Sequence, residues 1–76
     1  MEAKRFVEIH KDKGNLEIKE DLNRNSAGQD GFIVTFDYKL EDEIEQSAKL
    51  NKVSMVFLSL DGKGITTARI YDETIS

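Results

Sequence analysis

The chain has 76 residues, a formal net charge of −4 at neutral pH, and neither cysteine nor proline. This length predicts a single domain over residues 1–76 with a small core, and the absence of cysteine excludes disulfides and thiolate metal sites. The mild negative charge argues against a protein that coats nucleic acid by bulk attraction.

The first part of the chain is predicted to form an antiparallel hairpin. Residues 5–11 are interpreted as strand one. Its apolar residues are Phe6, Val7 and Ile9. The turn over 12–15 contains Gly14, which can adopt the left-handed conformation that a bulged hairpin turn requires. Residues 16–22 then form strand two, in which leucine and isoleucine alternate with charged side chains.

A polar loop over 23–31 leads to the clearest strand of the sequence, strand three, over 32–40. One of its sides carries Phe32, Val34, Phe36, Tyr38 and Leu40, and the other carries Ile33, Thr35, Asp37 and Lys39. Strict alternation of aromatic and β-branched residues predicts a half-buried strand. We therefore expect strand three to carry much of the core.

One helix is predicted between strand three and strand four. Over residues 41–52 the pattern changes to a helical period, with Leu40, Ile44 and Ala48 spaced by four. Acidic residues in the first turn and lysines at the end suit the helix dipole. Asn51 is the predicted C-terminal cap.

Two further strands are predicted after the helix. Strand four, over 53–61, carries apolar side chains on both faces, so we expect it to lie centrally in the sheet or against a dimer partner. A glycine-rich turn over 61–64 leads to strand five, over 65–72. Residues 73–76 are expected to be a frayed end.

The predicted order of elements is β-β-β-α-β-β, which indicates a mainly β protein of the α+β class. One architecture that fits is an OB-like small barrel of five strands with the short helix at one end. The other is an open, curled five-stranded antiparallel sheet with the helix on one face. Such a sheet has edges, and pairing across a dimer is one way to cover them.

No residues in the sequence have the spacing of a known catalytic or cofactor site. His10 is the only histidine, lacks a cysteine or G-x-S-x-G serine as nucleophile, and is expected to be an exposed strand residue. The acidic residues of 37–45 lack calcium-loop spacing and are interpreted as a solvated helix start. The glycines at 28–31 and 62–64 match no phosphate-binding fingerprint. We therefore expect no enzymatic activity, no cofactor and no metal.

A ligand face is predicted by analogy with OB-folds, in which strands two and three and two loops bind single-stranded nucleic acid. Six basic residues would lie on or near it: Lys11, Lys13, Lys19, Lys39, Lys63 and Arg69. Its strand-three part has no aromatic side chain for base stacking, so we expect nucleic-acid binding to be weak.

Protein–protein contact is the preferred functional hypothesis. Strand four is apolar on both faces, and Ile70, Tyr71 and Ile75 are expected to remain partly exposed, which indicates a partner. We expect a small binding or regulatory module that forms a homodimer or binds another protein. We expect no signal peptide, because no apolar run follows the first residues, and no run reaches ~20 apolar residues. We therefore expect a cytoplasmic protein without membrane contact.

Overall fold

A computed structural model of the protein describes residues 3–22, 31–60 and 62–73. Its elements are α1 (Ala3–Asp12), β1 (Glu17–Leu22), β2 (Gly31–Asp37), one 3₁₀ turn (Tyr38–Leu40), α2 (Glu41–Leu50), β3 (Val53–Leu60) and β4 (Ile65–Asp72). The strands described form one antiparallel sheet in the order β1-β2-β4-β3, with β1 and β3 at its edges. Most of the predicted loop, 23–30, and the end of the predicted frayed tail, 74–76, lie outside the described residues.

The segment predicted as strand one is a helix, α1. Its buried residues Ala3, Phe6, Val7 and His10 recur at i, i+3, i+4 and i+7, which is the apolar stripe of a helix that packs on a core. In a strand the same residues would point to both faces. The prediction of a strand over 5–11 is therefore wrong.

Gly14 ends α1 rather than turning a hairpin. Its φ is +79°. The N–H of Gly14 donates to the carbonyl of Lys11 at 3.0 Å, and the N–H of Asn15 donates to the carbonyl of His10 at 2.9 Å. These two bonds define a Schellman motif, in which a left-handed glycine follows the helix. The predicted hairpin of strands one and two is accordingly replaced by a helix that leads into β1.

The broad α+β class is confirmed, but the element order is α-β-β-α-β-β. The sheet formed by the described residues has four strands and is open, so it shows neither the predicted fifth strand nor the OB-like barrel. The physical reason is that α1 packs its apolar stripe against one face of the sheet. As a helix, it cannot form the backbone hydrogen bonds of a strand within that sheet. An open antiparallel sheet, the other predicted architecture, is confirmed in this coarser form.

The core is built on β2, as predicted. Phe32, Val34 and Phe36 are buried, whereas Ile33 and Thr35 point to the other face and are half-buried. Alternation of this kind places every second residue against the helices and leaves the remaining residues on the opposite face.

β2 ends earlier than predicted. The carboxylate of Asp37 accepts a hydrogen bond from the backbone N–H of Lys39 at 3.0 Å, which starts the 3₁₀ turn. The side chain of Tyr38 is 48% exposed, so its predicted place on the inner face is wrong. Its backbone N–H donates to the carbonyl of Gly64 at 2.9 Å. Gly64 has φ +84°, and a Cβ there would lie 2.8 Å from the Tyr38 ring, so this turn requires glycine.

Both helices lie on the same face of the sheet. One cluster joins the buried apolar residues of α1, α2 and the strands: Ala3, Phe6, Val7, Leu16, Phe32, Val34, Phe36, Ile44, Ala48, Val53, Ala68 and Ile70. Ile44 and Ala48 are the predicted stripe of α2, and Asn51 is its C-cap, as predicted. Ile70 is fully buried, so its predicted exposure is wrong, whereas Tyr71 is partly exposed, as predicted. Ile75 lies outside the described residues. Neither helix in the described ranges is long and apolar enough to cross a membrane. No helix of the described residues covers the opposite face of the sheet, which we call the open face.

Candidate interaction surface

β3 lies at an edge of the sheet and carries no charge. Its eight residues, VSMVFLSL, include neither glycine nor proline, and within the described residues it pairs only with β4. The predicted central position of strand four is therefore wrong. The predicted alternative, that a dimer partner covers this strand, stays a prediction.

Three consecutive apolar side chains of β3 are exposed. The exposed fractions of Val56, Phe57 and Leu58 are 42%, 40% and 46%. Phe57 lies opposite buried Ala68 and therefore on the helix side, whereas Val56 lies on the open face. Leu58 sits where the register shifts, between Phe57 and Ser59, as in a β-bulge. The apolar surface thus extends around the edge from one face to the other.

The other edge strand, β1, has the opposite chemistry. Its sequence is EIKEDL, and the side chains of Glu17, Lys19 and Glu20 are exposed. Its register with β2 shifts between Ile18 and Glu20. Charges and bulges keep an edge strand from pairing with another chain. Both edge strands have a register shift, so the two edges differ in charge: β1 carries charged side chains and β3 carries none.

A pocket of about 320 Å³ lies beside the first half of β3. Ala48 of α2 and Met55 of β3 contribute apolar lining, and Lys49 and Glu45, which form an ion pair at 3.6 Å, contribute polar lining. A strand that paired with β3 would have this pocket next to its helix-side residues.

The open face carries an arginine at its centre. One row across the four strands runs from Glu20 through Ile33 and Arg69 to Val56. The Nε atom of Arg69 is buried and has no hydrogen-bond partner. The register of the sheet places these residues side by side, although they come from four separate segments of the chain.

His10 lies in the interior, where it joins the two helices. Its side chain is 3% exposed, so its predicted exposed position is wrong. Its Nε2 lies 3.0 Å from the Ser47 hydroxyl of α2, and its Nδ1 lies 3.4 Å from the side-chain nitrogen of Asn15. An amide nitrogen only donates, so Nδ1 accepts and Nε2 donates to Ser47, which requires the neutral imidazole.

Acidification is expected to weaken the folded state through His10. Burial lowers the pKa of His10 from 6.5, Lys13 lowers it further, and Glu43 opposes them. The unfolded chain therefore binds a proton near pH 6.5 that the folded chain takes up only at lower pH. The free energy of unfolding should fall as the pH drops through this interval, with a slope of at most about 1.4 kcal/mol per pH unit.

Urea unfolding of the wild type and of His10→Gln, measured between about pH 5 and 8, tests this expectation. The carboxylates titrate in both proteins, so the difference between the two curves isolates His10. We expect the difference in free energy of unfolding between the wild type and the variant to shrink as the pH falls below about 6.5. A difference that stays constant with pH would contradict the expectation.

The six predicted basic residues are distributed over several parts of the fold. Lys11 lies in the last turn of α1 and Lys13 follows that helix. Lys19 lies on β1, Lys39 in the 3₁₀ turn, Lys63 before β4, and Arg69 on the open face. The hydrogen bond between Tyr38 and Gly64 brings the segments of Lys39 and Lys63 together. Lys11 and Lys13 belong to the helix side, away from Arg69. Binding of single-stranded nucleic acid stays a prediction.

Comparison of the chain with protein-family models, with curated proteins and with solved structures found no match. Across residues 3–22, 31–60 and 62–73, no three histidine or acidic residues are grouped so that they could hold a metal ion. We therefore infer the function from the surface features of the protein.

Proposed function

We propose that this protein is a non-enzymatic protein-interaction module that self-associates through β3. The observation that carries the proposal is that β3 is an uncharged edge strand with three consecutive exposed apolar side chains. Edge strands of this kind add a strand from another chain. A cytoplasmic location belongs to the same proposal, and a chain without cysteine is compatible with it.

A second copy of the chain suits β3 because the strand is neutral. In a dimer with two-fold symmetry, the same surface patch is used on both subunits. Antiparallel pairing of β3 with its own copy brings no like charges together, although each chain has a net charge of −4. The product is one continuous antiparallel sheet of two four-stranded halves, in which the uncharged strand β3 no longer lies at an edge.

We place the two-fold axis of this pairing at Val56. Val56 then faces its own copy on the open face, and Phe57 of each chain lies opposite Met55 of the other on the helix side. Met55 and Ala48 line the pocket beside β3. The exposed Phe57 ring therefore gains an apolar environment that the single chain does not provide.

Phe57→Lys is the test of this proposal. We expect the wild type to sediment as a dimer at about 100 µM and the variant as a monomer, with the dissociation constant raised at least about tenfold. In the dimer the lysine side chain would lie at the interface between the two β3 strands, whereas in the monomer it would lie in water. Sedimentation velocity over a concentration series measures both proteins.

Leu50→Lys is the matched control, since it exchanges an apolar residue for lysine at a side chain that is 84% exposed on α2. It should dimerise like the wild type. A wild type that stays monomeric near 1 mM, or a Phe57→Lys variant that still dimerises, would exclude β3 as the contact.

A further inference from the structure

The Nε–H of Arg69 lacks an acceptor among the described residues. Its Nε is buried without a hydrogen-bond partner, and no ion pair involves it in the described part of the chain. A guanidinium group has five N–H donors, and a buried donor that is left unpaired is costly. Because this buried N–H has no partner among the described residues, it can donate to an acceptor that a bound molecule supplies.

The surroundings of Arg69 define what kind of acceptor fits. Its row neighbours are Ile33 on β2 and Val56 on β3, and Tyr71 lies two residues along β4 on the same face. A carboxylate binds arginine with two parallel bonds, to Nε–H and to one Nη–H. The apolar neighbours suit a carboxylate that is carried by a protein segment with apolar residues beside it.

We propose that the open face binds an acidic and apolar segment of a partner protein, with Arg69 as the anchor for one of its carboxylates. The carboxylate would satisfy the buried Nε–H, and apolar side chains of the segment would cover Ile33 and Val56. The face is a sheet surface, so an extended or helical segment fits it better than a small molecule, which requires a concave site.

A polyphosphate is a poorer occupant of the open face. Glu17 and Glu20 lie in the rows of Thr35 and Ile33 on this same face, and both side chains are exposed. Nucleic-acid binding gains its affinity from several cations that contact successive phosphates. One arginine, with two carboxylates on the same face two strands away, suits a single acidic group instead.

The site is complete within one chain and therefore does not depend on dimerisation. If β3 pairs with its copy at Val56, the two Arg69 residues fall in one row, three strand spacings or about 14 Å apart. A segment with two suitably spaced acidic residues would then engage both arginines, which raises its apparent affinity.

The probe is a soluble octapeptide with blocked ends that has one central glutamate, a leucine two residues before it and another two residues after it, and serine at the other positions. In an extended segment this spacing places the glutamate and both leucines on one side. The peptide is titrated into the ¹⁵N-labelled protein at low salt. We expect shifts in β2, β3 and β4 on the open face and in the Arg69 Nε–H. Arg69→Gln should weaken binding at least about tenfold, since charged hydrogen bonds are lost. Lys19→Gln removes the same charge from β1 and should leave the affinity within about twofold of the wild type.

Three results would overturn the proposal. They are no shifts on the open face, equal binding of the same octapeptide with glutamine in place of its glutamate, or an unchanged affinity in Arg69→Gln with an unchanged unfolding midpoint. Stronger binding of a thymidine octanucleotide that also depends on Arg69 would reassign the site to nucleic acid. Repeating the titration with Phe57→Lys separates the two proposals, because a monomeric variant retains the site of its own open face.

Discussion

Replacing Phe36 by alanine is expected to lower the free energy of unfolding by about 3–5 kcal/mol. Phe36 is 4% exposed and lies on the helix side of β2, opposite Thr66 of β4. Truncation removes apolar contacts and leaves a cavity between the sheet and the helices. A domain of this size has about 4–11 kcal/mol of stability in total, so the variant would be close to unfolding at 25 °C.

Urea unfolding followed by circular dichroism measures the loss, with Phe57→Ala as the matched control. Phe57 carries the same side chain on the same face, but it is 40% exposed at the edge strand. At protein concentrations that keep the chain monomeric, this control should cost less than about 1.5 kcal/mol. Equal costs for the two variants would mean that Phe36 is not part of the core.

Phe6→Ala is expected to cost about 3–5 kcal/mol as well. Phe6 is 1% exposed and belongs to the stripe of α1 that packs against the sheet. Its ring centroid also lies 4.5 Å from that of His10. Its loss would leave a cavity beneath α1 and remove a ring that holds the imidazole in position.

Glu8→Ala is the control that separates a helix from a strand. In a strand, Phe6 and Glu8 would share a face, whereas in α1 the Glu8 side chain is exposed. Alanine is a good helix former, so this control should change the free energy of unfolding by less than about 0.5 kcal/mol. A large cost for Glu8→Ala, comparable with that of Phe6→Ala, would contradict the helical stripe.

The N-terminal helix shows why local patterns can mislead. Phe6, Val7 and Ile9 are aromatic or β-branched, and these residue types favour a strand. The helical stripe includes Ala3 and His10, which do not stand out as apolar residues. Gly14 is equally compatible with a hairpin turn and with the end of a helix, because both use a left-handed glycine. Packing of the stripe against the sheet decides between them.

The candidate interaction surface shows the same limit at the level of the sheet. An apolar run such as Val53–Leu60 predicts a strand that is covered on both faces. The same run is expected for a central strand and for an edge strand that another chain covers, so the pattern does not distinguish them. The charges of Glu17–Leu22 are a local signal of an edge, but their meaning depends on which strands pair. The buried Nε of Arg69 has no signal in the sequence at all.

The sequence by itself determined the elements whose side chains repeat regularly over short distances. The alternation in β2, the spacing of Ile44 and Ala48 in α2, and the run of β4 were readable because they reflect local backbone geometry. Only the tertiary structure decided the strand order, the shared face of the two helices and the exposure of β3. These depend on contacts between distant segments, such as the pairing of Gly31–Asp37 with Ile65–Asp72, which no local period encodes.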